Sequence, residues 1–259
     1  MTTHVHSADG TTIGFTESGS GPVLILVDGA SCYRDFGPLA SLAGLLAADF
    51  AVYTYDRRGR GESTDTPPYA IEREVEDLAA LIEEAGGSAF LYGVSSGALL
   101  ALHAAVALGP AIPKLALFEP PIGDDEDQVT QAAFTAELAE LIAAGRPGDA
   151  VERFQTGIGV PPEMVAGMRQ APFWPALEAI APTLIYDCTI SAATTLDDVA
   201  AVKAPALVID SEASSENLTG WAAAVVDALP NGTHRSLVGQ WHSVPDEDLA
   251  PVLTEFLLG

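Results

Sequence analysis

The sequence predicts an α/β fold in which a mostly parallel central sheet carries helices on both faces. The first observation is that short apolar runs alternate with longer segments whose apolar residues recur at helical spacing. The second is the turn Gly93–Gly97, a Gly-x-Ser-x-Gly sequence that separates an apolar run from a segment rich in Ala and Leu. Because helices join successive parallel strands, repeated strand–helix units predict a parallel sheet that is covered on both sides.

The chain opens with a predicted β-hairpin, since His4–Ser7 and Thr12–Glu17 flank an Asp-Gly turn. Six segments, most of them apolar, are then predicted as strands of the main sheet: Val23–Val27, Ala51–Tyr55, Ala89–Tyr92, Lys114–Phe118, Ala206–Ile209 and Thr233–Val238. The predicted helices are one after the first of these strands, with apolar residues from Phe36 to Leu46, and then Ile71–Glu84, Ala98–Leu108, Leu218–Leu229 and Asp246–Leu258.

The strand–helix alternation lapses between the fourth and fifth of these strands. Residues 122–202 contain one segment of helical spacing, Gln131–Ala144, followed by a stretch in which prolines recur. We interpret this block as a helical cap, or lid, inserted over the sheet. The predicted division is therefore a core formed by residues 1–121 and 203–259 and a cap formed by residues 122–202.

The charge balance argues against polyanionic partners. Eleven Lys and Arg against 36 Asp and Glu give a formal net charge of −25, so nucleic acid and anionic membranes would repel the protein. The two cysteines, Cys32 and Cys188, lie far apart and are expected to be reduced thiols. The first residues do not resemble a signal peptide, and no apolar run has the length of a membrane span. We therefore expect a soluble, cytoplasmic protein.

Catalytic candidates are expected where strands end, because α/β sheets place their sites at the carboxyl ends of strands. Ser95 lies at the centre of the turn Gly93–Gly97, and a strand, a tight turn and a helix form the context of a nucleophile elbow. A serine hydroxyl needs a base that takes its proton. Among the five histidines, His242 alone follows the carboxyl end of a predicted strand, so we assign it as that base.

The third group, a carboxylate that would orient the imidazole, is left open by the residues themselves. Asp210 and Glu212 follow the fifth predicted strand, although Ser214 occupies the position where an acid would be expected. Glu119 ends the preceding strand, between apolar residues and two prolines. A partly buried acid there would need a partner, and His242 is the obvious one.

An oxyanion hole requires two backbone N–H donors near the nucleophile. Ser96, the residue after the nucleophile, supplies one of them. The turn after the first buried strand supplies the other, from Gly29 or Ala30. The combination predicts acyl transfer at an ester-like carbonyl.

The sequence resembles the zearalenone lactonases, which are α/β-hydrolases, over nearly its full length. The resemblance rests on Val27-Asp28-Gly29 with Cys32 and Phe36, Gly93-Val94-Ser95-Ser96-Gly97-Ala98, Phe118-Glu119 with Pro121, Pro172-Phe173-Trp174, and Gly239-Gln240-Trp241-His242. It implies the α/β-hydrolase fold, with a helical cap inserted into the core, and a lactone substrate.

For the site, the resemblance implies a Ser-His-Glu triad, two oxyanion donors and a tryptophan of the cap that contacts the substrate. These residues are Ser95, His242 and Glu119 for the triad, Gly29 and Ser96 for the oxyanion hole, and Trp174 for the substrate contact. The resemblance thereby favours Glu119 over Asp210 as the acid.

The expected function is that of a serine hydrolase that cleaves a carboxylic ester or lactone through an acyl-enzyme. A carbon–carbon bond hydrolase with the same triad is one alternative. A small-molecule-binding protein that retains the hydrolase fold is another, because a fold does not fix a function. Multiple turnover of a substrate would exclude the binding protein.

The expected partner is a small-molecule ester or lactone, and a homodimer is compatible with the sequence. His4 and His6 could form half of a metal site, but no third ligand cluster accompanies them, and alternation along a strand explains the pair. We therefore expect neither a metal nor a cofactor.

Overall fold

The computed structural model describes residues 2–123 and 125–259, with the side chains of residues 125–128 excepted. Its strands are β1 Thr3–His6, β2 Thr12–Gly19, β3 Val23–Val27, β4 Ala51–Tyr55, β5 Phe90–Val94, β6 Leu115–Phe118, β7 Ala206–Ser211 and β8 Gly232–Leu237. In the described part of the chain these eight strands form one sheet in the order β1-β2-β4-β3-β5-β6-β7-β8.

The sheet is mostly parallel, as predicted. β1 pairs with β2 and β2 pairs with β4 in antiparallel orientation, and every later pairing is parallel. Val27 of β3 lies opposite Gly93 of β5, which in turn lies opposite Leu117 of β6. The carboxyl ends of these three central strands are therefore level, and the turns that follow them meet at one edge.

The helices that flank the sheet are α1 Leu39–Leu46, α2 Ile71–Glu84, α3 Ser96–Leu108, α10 Glu216–Ala228 and α11 Asp246–Leu258. Between β6 and β7 the chain forms α4 Asp125–Ala143, α5 Pro147–Gly157, α6 Pro162–Met168, α7 Trp174–Ile180, α8 Leu184–Ala193 and α9 Leu196–Ala200. Two short 3₁₀ helices, Gly109–Ala111 and Ala181–Thr183, complete the helical segments among the described residues.

The two faces of the sheet bury separate apolar clusters because successive side chains of a strand point in opposite directions. In β3, Ile25 and Val27 join a cluster with residues of α2, α3 and α10, whereas Leu24 and Leu26 join a cluster with residues of α1 and α11. Strands buried on both faces have continuous apolar sequences, which is the pattern that predicted them.

The segment between β6 and β7 is helical, as expected for a cap. Its apolar side chains form a third cluster that includes Leu138, Phe154, Trp174 and Leu184. Pro147 and Pro162 are the first residues of α5 and α6, and Pro175 and Pro182 are the second residues of α7 and the second 3₁₀ helix. An N–H at these positions has no partner within the helix, so proline is tolerated there. The exact division into a core and a cap domain stays a prediction.

Several element ends differ from the prediction, among them those around the turn Gly93–Gly97. β5 runs to Val94, two residues beyond the predicted end, because the backbone of Gly93 continues the ladder between its neighbouring strands. The helix after the turn begins at Ser96 rather than Ala98. The helix predicted from Gln131 begins at Asp125.

Neither cysteine is in a disulfide, and burial is the main cause that raises the pKa of the Cys32 and Cys188 thiols to about 12. Both are therefore neutral thiols near pH 7. Among the residues that the structure describes, no helix is both long enough and apolar enough to span a bilayer.

Candidate active site

The turn between β5 and α3 holds Ser95 in a strained backbone conformation. Its φ of 55° and ψ of −124° are rare for a residue with a side chain and persist only where the surroundings enforce them. Its N–H donates to the carbonyl oxygen of Phe118 at 2.9 Å. A Cβ at Gly93 would lie 2.4 Å from the carbonyl oxygen of Gly97, and a Cβ at Gly97 would lie 2.3 Å from that of Val27. The two glycines thus allow α3 and the end of β3 to close around the serine.

Glu119 and His242 form a hydrogen-bonded pair beside this turn. The Glu119 side chain is fully buried, and its Oε2 lies 2.5 Å from His242 Nδ1. Its Oε1 accepts the backbone N–H of Ser211 at 2.9 Å. The backbone N–H of His242 donates to Ser214 Oγ, also at 2.9 Å. These bonds fix the imidazole with Nδ1 toward the acid, which leaves Nε2 for a proton from elsewhere.

The other acids considered from the sequence do not contact His242. Asp210 Oδ2 lies 2.9 Å from Nε2 of His234, which is in β8. Glu212 is exposed. Ser214, at the position where an acid was expected, binds the backbone of His242 through its hydroxyl.

The turn after β3 lies directly against the turn that holds Ser95. A Cβ at Gly29 would lie 3.0 Å from the carbonyl oxygen of Val94 and 3.3 Å from Ser95 Cβ. Ser96 begins α3, where backbone N–H groups have no partner within the helix. In the described part of the chain, neither the N–H of Gly29 nor that of Ser96 has a protein acceptor. Two free donors therefore lie close to Ser95.

A cavity of about 1150 Å³ opens over these groups, and its lining includes Ser95, His242, Gly29 and Ser96. Within the described residues Ser95 Oγ makes no hydrogen bond to His242, as is common before substrate binds. Much of the remaining wall is aromatic and comes from Phe36, Phe134, Phe154, Phe173, Trp221 and Trp241. Among the described residues, no cluster of His, Cys, Asp or Glu is arranged to hold a metal ion.

Backbone strain is concentrated at this site. The residues other than glycine that have a positive φ in the described chain are Ser31, Ser95, Glu119 and His242, with φ of 62°, 55°, 45° and 54°. Ser31 also lines the cavity. Such strain is typical of functional sites, where the surrounding structure holds it in place.

Trp174 is buried in the cap, and its contact with substrate stays a prediction. Its side chain is buried in the cap cluster, and its indole N–H donates to Glu178 Oε1 at 2.9 Å. It is not part of the cavity wall, which its neighbour Phe173 reaches instead. The reason is that Trp174 begins α7 and faces the apolar interior of the cap.

Asp28 contributes a buried carboxyl to the cavity wall. In the described structure its side chain accepts no hydrogen bond. Burial raises the pKa of Asp28 from 3.8 to about 7, although Arg60 and Arg57 act in the opposite direction. A carboxyl without a partner is costly to ionise in such a place.

A buried ionic cluster, defined by Arg57, Arg60, Glu74 and Asp187, adjoins the cavity, and Asp187 is part of the cavity wall. The Arg57 guanidinium pairs with Glu74 and with Asp187, and Arg60 pairs with Asp187. No sequence pattern indicated a role for Asp187, because its partners come from distant segments and only the folded chain brings them together. Charged residues that are this deeply buried are nearly always paired.

Several known proteins are similar to this chain in sequence or in fold. A thermophilic esterase from Thermogutta terrifontis has the same fold with a TM-score of 0.77 at 21% identity, over 100% of this chain and 98% of that chain. A Bacillus subtilis protein named as the uncharacterized hydrolase YraK is 33% identical over 97 residues, which are 36% of this chain. That match spans only 35% of the length of YraK.

An alpha/beta hydrolase from Sphaerobacter thermophilus is 46% identical, with a TM-score of 0.88 over 98% of this chain and 100% of that chain. A sequence model of the alpha/beta hydrolase family matches residues 18–252. The match covers most of the chain and agrees with the eight-stranded sheet of the described residues and the turn that presents Ser95. The chain therefore belongs to the alpha/beta hydrolase family.

Proposed function

We propose that this hydrolase cleaves a carboxylic ester or lactone through an acyl-enzyme formed on Ser95. The observation that carries the proposal is the 2.5 Å contact between Glu119 Oε2 and His242 Nδ1, beside a cavity that Ser95 also lines. Nucleophile, base and orienting acid are the three roles that activation of a serine requires.

In the proposed reaction, His242 Nε2 takes the proton of Ser95 Oγ as this oxygen attacks the substrate carbonyl carbon. Glu119 holds the imidazole in the required tautomer and stabilises the imidazolium. The N–H groups of Gly29 and Ser96 bind the oxyanion of the tetrahedral intermediate. His242 then protonates the leaving alcohol, and a water molecule hydrolyses the acyl-enzyme in a second cycle of the same steps.

The size and the lining of the cavity favour a largely apolar substrate. A volume of about 1150 Å³ with a wall rich in aromatic side chains suits a sizeable ring system. The resemblance to the zearalenone lactonases adds a lactone to the proposal. We place the reaction in the cytoplasm, which the two free thiols, Cys32 and Cys188, support.

The test is labelling with a fluorophosphonate, which reacts with activated serines, followed by intact-mass spectrometry. Wild type, Ser95→Ala and Ser191→Ala are compared, because Ser191 presents another hydroxyl to the same cavity. We expect one adduct on wild type and on Ser191→Ala, and none on Ser95→Ala. An unlabelled, folded wild type, or an adduct on Ser95→Ala, would overturn the proposal.

A panel of esters and lactones then tests the substrate class. Release of alcohol and acid over many turnovers supports the hydrolase. Tight retention of a ligand without turnover would instead indicate the binding protein considered from the sequence. Cleavage of carbon–carbon substrates with no action on esters would indicate the other alternative.

A further inference from the structure

We infer that Asp187, in cap helix α8, is a positioning residue that holds both donor peptides of the oxyanion hole in place. The inference rests on the proposed function, because it concerns the groups that would bind the oxyanion. Asp187 lines the cavity, but in the described structure its carboxylate accepts from Ser96, Arg57 and Arg60 and makes no hydrogen bond to Ser95 or His242, so it would act through the residues that it binds.

The first link runs through Ser96. Asp187 is 2% exposed, and its Oδ1 accepts the hydroxyl hydrogen of Ser96 at 2.7 Å. The backbone N–H of the same Ser96 is one of the two proposed donors. A side chain at the first position of α3 is thus fixed from the cap, and the start of the helix is fixed with it.

The second link runs through Arg57. Its Nη1 donates to Asp187 Oδ1 at 2.7 Å and to the carbonyl oxygen of Asp28 at 3.2 Å. That carbonyl belongs to the peptide unit that carries the N–H of Gly29. A peptide unit is planar, so a bond that fixes its C=O also fixes the direction of its N–H. Hydrogen bonding to the carbonyl also polarises the unit and strengthens the N–H as a donor.

The neighbouring peptide is held in the same way. Arg60 Nη2 donates to Asp187 Oδ2, and its Nη1 donates to the carbonyl oxygen of Gly29, both at 2.6 Å. This peptide unit carries the N–H of Ala30, the other donor that the sequence allowed. Whichever of the two N–H groups binds the oxyanion, its peptide is fixed by an arginine that Asp187 binds.

Pairing of charges alone does not account for this arrangement. Arg57 already has a bidentate partner in Glu74, with two bonds of 2.7 Å. Burial by itself would raise the pKa of Asp187, but the attraction of Arg60 and Arg57 outweighs it and lowers the pKa. Asp187 is therefore a carboxylate that accepts from Ser96 and from both arginines at once.

The experiment compares wild type with Asp187→Asn, Ser96→Ala and the control Asp198→Asn. Asn at 187 keeps the shape of the side chain and removes its charge, and Ala at 96 removes the hydroxyl link but keeps the N–H. Asp198 is also an acid of the cap, in α9, where it caps the helix through Thr195. Each variant is assayed with p-nitrophenyl butyrate and with a trifluoromethyl ketone, which forms a tetrahedral adduct with an active-site serine.

We expect Asp187→Asn to lower kcat about 100-fold with KM within about two-fold of wild type, since a misplaced oxyanion donor costs transition-state binding. Affinity for the trifluoromethyl ketone should fall by a similar factor. For Ser96→Ala we expect a smaller loss of kcat, of about ten-fold, because the link through Arg57 persists. Asp198→Asn should retain wild-type kcat.

The inference is overturned if folded Asp187→Asn keeps wild-type kcat, or if its KM rises as much as its kcat falls. If Asp187→Asn does not fold, Ser96→Ala decides, and an unchanged kcat in that variant overturns the inference. Fluorophosphonate labelling of wild type separates the two proposals. A wild type that is labelled and turns over esters, beside an unaffected Asp187→Asn, means that only the positioning role is wrong.

Discussion

Asp210 Oδ2 lies 2.9 Å from His234 Nε2. The acid that the sequence offered as an alternative to Glu119 therefore pairs with a histidine other than His242. We therefore expect Glu119→Gln to lower kcat by up to about 10⁴-fold, because glutamine favours the wrong imidazole tautomer. Asp210→Asn is the matched control and should retain most of the activity. Full activity in Glu119→Gln with loss in Asp210→Asn would reverse the assignment, and steady-state ester hydrolysis decides between them.

The nucleophile turn makes a prediction about stability. In Gly97→Ala the new Cβ would meet the backbone oxygens of Val27 and Asp28 at 2.3 and 2.6 Å. We expect a loss of about 3 kcal/mol or more in the free energy of unfolding, measured by urea denaturation.

The matched control for that substitution is Gly44→Ala in α1. A Cβ at Gly44 meets no atom within 4 Å. Alanine should therefore stabilise this helix, by about 0.5–1 kcal/mol. Equal stability of the two alanine variants would show that the close approach of β3 and α3 at Gly97 is not required.

Asp28 predicts a pH-dependent difference in stability. Its pKa rises from 3.8 to about 7 on folding, so between these values the unfolded chain releases a proton that the folded chain keeps. The contribution of this group to stability is complete below about pH 4, falls as pH rises, and reaches a loss of about 4 kcal/mol above pH 7. Asparagine stays neutral throughout.

Relative to wild type, Asp28→Asn should thus become more stable as pH rises from 4 to 8. Urea denaturation at several pH values measures the difference. Asp35→Asn, at an exposed acid, serves as the control and should show little trend. A constant difference between wild type and Asp28→Asn over this range would contradict the assigned burial cost.

Trp241 in the cavity wall and Trp174 in the cap predict different defects. Trp241 lines the cavity and is 43% exposed, so Trp241→Ala should raise KM for aryl esters by about two- to ten-fold, with little loss of stability. Trp174 is buried in the cap, so Trp174→Ala should lower the free energy of unfolding by about 3–5 kcal/mol.

Kinetics and denaturation of both variants separate these outcomes. Trp174→Phe keeps an aromatic ring in the cap but removes the indole N–H and part of the buried volume, so it is the milder of the two substitutions. If Trp174→Phe raises KM while stability is unchanged, the substrate contact implied by the resemblance holds after all. Alkyl esters serve as the internal control, because they offer no ring for Trp241 to contact.

Much of the core was predictable because the spacing of apolar residues and the residues that end helices and strands indicate the same element boundaries there. The predicted ends of four elements agree with the structure: Val23–Val27, Ala51–Tyr55, Ile71–Glu84 and Asp246–Leu258. In α2, apolar residues recur at helical spacing and Gly86 follows the helix end. The apolar periodicity and the glycine therefore predict the same end for the helix. The nucleophile turn is equally local, since Gly93, Ser95 and Gly97 are consecutive in one motif.

The helices of the cap and the residues that position the candidate site could not be predicted from local sequence patterns. The helix boundaries in the cap were not predictable, because a proline in the sequence can mark either the beginning or the end of a helix. Trp174 matched a motif, but which way α7 faces depends on its packing against other cap helices. Asp187 is hydrogen-bonded to Ser96 and Arg57, which are 91 and 130 positions away in the sequence. No local sequence pattern predicts such contacts.

The strained backbone at Ser31, Ser95, Glu119 and His242 has a consequence for engineering the protein. Each left-handed residue costs about 1–3 kcal/mol, and glycine would relieve that cost. Laboratory evolution that selects for heat resistance alone would therefore favour replacement of these residues. The variants would be more stable but would lose the proposed activity. Libraries built on this scaffold should keep the four positions constant and seek thermal gains at sites such as Gly44, far from the cavity wall.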